Sequence, residues 1–499
     1  MPNEPLAVID IGSNTSRVTV FERTLDSHFD AIADSRAALR LLRVLSKNGR
    51  LEEAGVRSLL AALRDFESVA RGAGAQTMVA LATYSVRNSA RAAELKERIE
   101  QQTNLKVEVI DGSREAELGF LGAIYGMDIE DGVLIDLGGG SLEVSFFKQR
   151  SLGRTYSLPL GALLLNDQWL ASDPPRAEEL QALQEHVQST LEEARIRPLK
   201  PHERLVGTGG TVRNLAKLDR NSRNYPIPQV HGYILPRRRL KELAGELTGR
   251  SRRELSRLSG LNPDRSDTIG AGSLALHTVL RALNAGALEV SGQGLREGYA
   301  LSTVLNRLPS ARAVRKLAIE ALAQRFRTWD LRAAQRRSAL ASALQTILDR
   351  ECGHEMQELL VHAAWLLDIG KSVDYVDRFQ HAADMLTTTD LAGFSHRQIA
   401  VLAGTLRAGD KRKYDWQMYR PLLTADDEIP QQRAGLILAL ADEIEKRLPP
   451  DSGIPVVFHD FDKSRLGVDL PAPYGGRLSV LAELFPRIFG WDLQFERAA

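Results

Sequence analysis

At 499 residues the chain exceeds what one compact core absorbs, so two to four domains are expected, and 43% hydrophobic with 26% charged residues is an ordinary globular composition. A formal net charge of +1 gives no overall electrostatic claim on nucleic acid, and a single cysteine, Cys352, excludes an internal disulfide framework or a cysteine-built zinc cluster, as suits a reducing compartment. No apolar run is long enough to span a bilayer and the opening MPNEPLAVID has no basic-then-apolar leader pattern, so the expectation is a cytoplasmic protein with neither nucleic-acid nor membrane partners.

Residues 5–126 alternate strand-like and helix-like patterns. They predict strands near 6–11 and 15–22, a helix around 51–72, a short apolar run QTMVALAT (76–83), a helix around 89–102, a strand at 105–110 and a helix from about 113. From Gly132 the order starts again, with a strand pair in VLIDLGGGSLEVSFF (133–147), a helix at 177–194, a strand in RLVGTGG (204–210) and a helix at 211–219. VSGQGLREG (290–298) reads as a last strand and turn before a helix. Strand signals vanish after about residue 305; residues 310–448 carry apolar spacings of three and four, as in ARAVRKLAIEALAQRF, and read as helical. PPDSGIP (449–455) is a linker by composition, and the remainder returns to short strands and one helix. The expected domains are therefore two α/β halves, 1–126 and 127–305, each opening with the same hairpin around a shared cleft, then a helical domain at 306–448 and a small α/β segment at 449–499.

Three glycine turns punctuate this order: DIGSNT (10–15), DLGGGS (136–141) and GTGGT (207–211). Backbone N–H groups in such turns can converge on an anion without bulky side chains intervening. A single turn of this kind is equally a tight β-turn with no ligand. Each of the three follows an apolar strand, however, and the first two carry an aspartate at the strand end. Acids beside a phosphate repel it unless a cation sits between them, so Asp10, Asp136 and Glu143 suggest a hard divalent ion held by carboxylates, phosphate oxygens and water. No lysine follows the turns as in GK[ST], which makes a Walker A loop a poor fit.

DIGSNT, DLGGGSLE, GTGGT and the helix start GSREAEL resemble the phosphate, connecting and adenosine-site motifs of the superfamily of acetate kinase, sugar kinases, heat-shock chaperones and actin. With ATYSVRN (82–88), SLPLGALLL (157–165), GLNPDRSDTIGAGSLAL (260–276) and VSGQGLREG, they more closely resemble its Ppx/GppA branch of exopolyphosphatases and guanosine pentaphosphate phosphohydrolases, densely over residues 6–304. The resemblance implies duplicated actin-like, ribonuclease H-like halves followed by an HD-like helical domain. It implies a metal-dependent exopolyphosphatase using Mg2+ or Mn2+, with K+ as a further candidate ion. Inorganic polyphosphate is the implied substrate, guanosine pentaphosphate or tetraphosphate the alternative ligand, and a homodimer the implied assembly.

Residue by residue, the resemblance places Glu115 at the family's catalytic glutamate, with Arg114 in place of the glutamate that precedes it. Read without it, Glu115 and Glu117 are two acids in a first helical turn, where the macrodipole favours them. Asp136 and Glu143 match positions linked to metal and catalytic water, with Asp10 as a further metal candidate. Phosphate contacts are implied for Asp10, Gly12, Ser13, Asn14 and Thr15, for Gly138, Gly139, Gly140 and Ser141, for Gly209, Gly210 and Thr211, and for Arg87 in YSVRN. Arg296 in GLREG could pair with a neighbouring acid and only hold the fold.

The HD-like metal pattern is broken: Leu367 stands where a histidine should precede Asp368, and Gly409 at another histidine position, leaving His381, Asp368 and Asp442. That set is too small to close a metal site, and the bundle reads as structural, with His362 and His381 as helix histidines. Basic clusters are mostly solvated faces; a long polyanion still needs a positive groove, for which Arg312, Arg315, Lys316, Arg325 and Arg327 are the candidates. A same-fold kinase with a sugar or carboxylate acceptor, and a non-catalytic sensor of guanosine tetraphosphate or pentaphosphate, are the rival readings. Glu115 argues against the first; Arg114 and the degraded HD-like ligands keep the second open.

Overall fold

The LAVIDI run forms β1 (Leu6–Ile11), the middle strand of a five-stranded sheet. Ala7, Ile9 and Ile11 face one side, where they meet Leu59, Leu63 and Phe66 of the Glu53–Gly72 helix; Val8 faces the other, with Leu81, Leu118 and Ala300. Burial on both faces is why the run is almost continuously apolar. β2 (Ser16–Leu25) returns antiparallel to β1, pairing Asp10 with Arg17, and β3 (His28–Ala37) extends this meander as a charged, exposed edge. β4 (Thr77–Ala82) pairs parallel with β1, and β5 (Lys106–Val109) with β4.

The second half repeats the plan. β6 (Gly132–Leu137), β7 (Leu142–Lys148) and β8 (Ser151–Leu158) form the meander, and β9 (Arg204–Thr208) and then β11 (Ala287–Val290) add in parallel, with β10 (Tyr233–Pro236) antiparallel at the edge. Both sheets thus show the duplicated actin-like arrangement. The structure, a computed structural model, describes residues 4–44, 51–410, 414–449, 458–460, 465–470 and 477–497. It divides into two compact units, Met1–Asn224 with Gln229–Val314, and Tyr225–Pro228 with Arg315–Ala499.

Some local expectations shift. β3 and β8 were not expected as strands, because their exposed polar residues hide the period; the helix expected at 89–102 starts at Ala92. The strand assigned to 290–298 is β11, which ends at Val290, and the motif itself is a turn followed by the Leu295–Ser302 helix. That helix crosses Gly112–Tyr125 backbone to backbone: a methyl added at Gly122 would lie 2.7 Å from the Gly298 nitrogen.

The second unit contains a helical bundle whose helices include Leu331–Leu348, His354–Leu366, His396–Ala408 and Glu428–Glu445. A small sheet of β12 (Phe458–Asp460), β13 (Arg465–Leu470) and β14 (Asp492–Arg497) belongs to the same unit. Where the HD-like pattern is broken, Asp368 and Asp442 are each 1% exposed and share the guanidinium of Arg337, also 1% exposed, at 2.8 and 3.3 Å. Lys371 reaches Asp368 at 2.9 Å, and Lys446 and Arg378 reach Asp442 at 2.8 and 2.5 Å. Cations of the chain itself occupy this cluster. Breaking a buried pair of this kind costs about 3–5 kcal/mol, since the surviving partner keeps an uncompensated charge. No helix among the described residues is long and apolar enough to cross a membrane.

Candidate active site

The carboxyl ends of the parallel strands in both sheets open into one cleft of ≈ 720 Å³, where open α/β sheets generally place ligands. Asp10 and Asp136 are the next-to-last residues of β1 and β6, so each hairpin turn begins beside an acid. The turns touch: a methyl on Gly139 would lie 3.2 Å from Asn14 Cβ, and one on Gly209 would lie 3.1 Å from Asp136 Oδ1. Gly209 also has φ 104°, a conformation that favours glycine, and it starts the Gly210–Asn221 helix directly at the cleft.

Asp10, Gly12, Ser13, Asn14 and Thr15 all line the cleft, as do Gly138, Gly139, Gly140, Ser141, Gly209 and Gly210. Thr211 does not; it is fully buried behind them. Asn14 is 4% exposed and its side-chain oxygen has no hydrogen-bond partner among the described residues. An orphaned polar atom in such a place needs a reason, and a ligand supplies one.

Glu115 lines the cleft because Asp111 caps its helix, accepting the Arg114 N–H at 2.8 Å, and so fixes the first turn. Arg114 itself turns outward to pair with Glu117 at 2.7 Å. Arg87, expected to touch phosphate, is absent from the cleft lining; its Nη1 donates to Glu115 Oε2 and to the Ile110 carbonyl, both at 2.8 Å. Glu143 sits opposite Asp136 on β7, 6% exposed, and accepts the Ser157 hydroxyl at 3.0 Å.

These acids are held against their preference. Burial pushes Asp10 up to about 7, relieved by Arg296 and reinforced by Glu115 and Asp136. Asp136 goes up to about 6 through burial, against the pull of Arg213, and Glu143 to about 8 through burial and repulsion from Glu115 and Asp136. Burial also raises Glu115, opposed by its hydrogen bond and ion pair with Arg87. A cation among them would stabilise their ionised forms. Among the described residues no three His, Cys, Asp or Glu side chains form a ready-made metal cage. The donor set fits an ion such as Mg2+, which is usually bound by one or two carboxylates together with substrate phosphate oxygens and water.

Among the described residues seven cations also line the cleft: Arg17, Arg36, Arg213, Lys217, Arg220, Arg265 and Arg296. Sequence reasoning singled out Arg296 alone; the four- and three-residue steps from Arg213 to Lys217 to Arg220, just after the third glycine turn, were the legible signal for three others. Arg296 donates to the Thr19 hydroxyl and lies 3.8 Å from Glu297, so it braces the fold while facing the cleft. Burial lowers Arg265 to about 10, with Arg213 adding to the effect. Of the expected channel residues Arg312, Arg315, Lys316, Arg325 and Arg327, Arg315 is bound within the second unit to Glu358 at 3.1 Å and to the Gly393 carbonyl at 3.2 Å.

The sequence matches the Ppx/GppA phosphatase family over residues 20–307 and domain III of the Ppx/GppA phosphatases over residues 314–448. It is 29% identical over 300 residues to exopolyphosphatase 1 of Mycobacterium tuberculosis, covering 59% of this chain and 87% of that protein. It is 25% identical over 418 residues to a guanosine-5'-triphosphate,3'-diphosphate pyrophosphatase of Photobacterium profundum, covering 81% of this chain and 80% of the other. The crystal structure of the Aquifex aeolicus Ppx/GppA family member superimposes with a TM-score of 0.53 at 29% identity, over 61% of this chain and 98% of that one.

Proposed function

The chain belongs to the Ppx/GppA phosphatase family, and from that membership we propose that it is an exopolyphosphatase, releasing orthophosphate from the end of inorganic polyphosphate with water activated by Glu115. The observation that carries this reading is the meeting of three glycine-rich turns in one cleft that combines buried acids with a row of cations. A phosphoanhydride needs little covalent help; it needs positioning, neutralisation of phosphoryl charge and a base for the attacking water.

Main-chain N–H groups of Gly12–Thr15, Gly139–Ser141 and Gly209–Gly210 hold the terminal phosphoryl group, the Gly138 N–H being donated to the Ser141 carbonyl at 3.0 Å, with the Gly210–Asn221 helix adding positive potential from its N-terminus. Glu115 Oε accepts the proton of the attacking water while Arg87 fixes the carboxylate from behind. Asp10, Asp136 and Glu143 are the residues that would hold a divalent cation, which when bound neutralises charge on the phosphoryl oxygens. Arg213 and Arg265 line the same cleft and share that task electrostatically.

The test is phosphate release from long polyphosphate, tripolyphosphate, guanosine pentaphosphate and ATP in the presence of Mg2+. Release from polyphosphate, with Glu115→Gln keeping substrate binding but losing about a hundredfold or more in kcat, is the expected outcome. Inactivity on all four substrates would favour a sensor, and full turnover in Glu115→Gln would give the base to another group. One observation favours a second substrate: the Photobacterium relative aligns over 81% of this chain, against 59% for exopolyphosphatase 1. Guanosine pentaphosphate 5'-phosphohydrolase activity is therefore the alternative, and the relative rates on the first and third substrates decide it.

A further inference from the structure

The Gly210–Asn221 helix carries Arg213, Lys217 and Arg220 at steps of four and three residues, which places them in one stripe along one helical face. All three line the cleft, and Arg36 of β3 lines it with them. The stripe begins one turn beyond Gly209 and Gly210 and runs outward for about 10 Å.

These charges are not absorbed by the fold. Among the described residues Lys217 has no hydrogen bond or ion pair, Arg213 meets only the Gly292 carbonyl, at 3.3 Å, and Arg220 reaches the side chain of Asn221 at 2.9 Å. Arg36 has the Asn262 amide oxygen at 3.4 Å and Asp264 at 3.9 Å. Burial lowers the Lys217 ammonium, and Arg213, Arg220, Arg17 and Arg36 repel it further. A row of mutually repelling cations, leading away from a phosphate-sized nest, is costly unless an anion lies along it. Among the described residues that line the cleft, Tyr84 is the one aromatic ring, and it packs on Gly140 of the second turn.

We propose that Arg213, Lys217 and Arg220, with Arg36, form a lead-in rail that grips the second and following phosphate units of a linear polyphosphate whose end sits among the glycine turns. This rests on the polyphosphate reading above and assigns the chain's path, which the sequence had placed at Arg312–Arg327.

The experiment uses the full chain carrying Lys217→Glu/Arg220→Glu, with Lys217→Gln/Arg220→Gln as a milder pair should the first fail to fold. Initial rates are measured on long polyphosphate, tripolyphosphate and guanosine pentaphosphate. Binding of fluorescent long polyphosphate to Glu115→Gln, with and without the stripe changes, is measured at low and high salt. Expected are a rise of about tenfold or more in KM for the long chain, a rise of less than about threefold for tripolyphosphate, kcat for the long chain within about twofold, and a flatter salt dependence of binding. An unchanged long-chain KM, an equal rise for all substrates, or a loss confined to guanosine pentaphosphate would overturn the rail. So would a long-chain loss produced by Arg312→Glu/Lys316→Glu and not by the stripe. If the native chain releases no phosphate yet binds the polymer through the stripe, the rail stands and the catalytic reading falls; if it hydrolyses the polymer with no dependence on the stripe, the reverse holds.

Discussion

Glu115 and Arg87 are separated by 28 residues in sequence and by 2.8 Å in space, and the pair decides how the carboxylate is presented. Burial raises the affinity of Glu115 for a proton, while the guanidinium opposes this by stabilising the anion. A base is useful only when ionised, so Arg87 extends its working range toward acid. In Arg87→Gln the opposing influence is gone and Glu115 shifts further upward. The acidic limb of the kcat/KM profile should then move to higher pH, with a lower plateau because the carboxylate loses its fixed orientation. An unmoved limb in a variant with reduced activity would mean that Arg87 acts on phosphate directly. Arg114 illustrates the opposite case: it is next to Glu115 in sequence, yet its side chain turns to Glu117 and is not part of the cleft lining.

At the scale of elements, the site depends on how closely two helices can approach. Gly112–Tyr125 carries Glu115 near its start and Gly122 two turns later, where it rests on the backbone of Leu295–Ser302. Because an added methyl would meet main chain, the Gly294 carbonyl and the Gly298 nitrogen, the latter at 2.7 Å, Gly122→Ala cannot be accommodated by a rotamer change. The helices must separate, at a cost of about 1–3 kcal/mol typical of overpacking. Turnover should fall together with the melting temperature, since moving the helix moves the base; a stable, fully active Gly122→Ala would show that the contact does not position Glu115. The other end of the helix is fixed by Arg150, whose guanidinium donates to the carbonyls of Ile124 and Tyr125 at 2.9 Å. That contact satisfies orphan acceptors of the last turn and couples the helix to the β7–β8 turn.

At the scale of the whole molecule, the two units are stabilised differently. The first places mutually repelling acids and cations around an open cleft, as functional sites commonly do. The second buries its opposite charges together. Burial pushes Asp442 up, but Arg337, Arg378 and Lys446 outweigh it and hold the carboxyl below its usual 3.8. A depressed folded value means the stabilisation is complete above the unfolded value and is lost as pH falls through the folded one. Melting of the second unit should therefore be insensitive to this group near neutrality and weaken below about pH 4. Asp442→Asn should remove that acid sensitivity and cost about 3–5 kcal/mol at neutral pH, because Arg378 and Lys446 lose the carboxylate they share with Arg337, which keeps Asp368. A variant as stable as the native chain at pH 7 would show that the cluster contributes nothing to the bundle.

The sequence by itself determined the strand–turn–strand units and their acids, because a glycine turn after an apolar strand is a local signal, legible in a handful of consecutive residues. It also determined the duplicated order of the halves. Only the tertiary structure decided that Arg87 stands behind Glu115, that Arg337 binds Asp368 and Asp442 together, and that Arg36, Arg213, Lys217 and Arg220 share one wall. Those facts join residues far apart in the chain, and the energies involved depend on distance and burial. A charged residue on a helix has the same local signature whether its far end meets solvent, a carboxylate or a cleft, so its partner is fixed by packing alone.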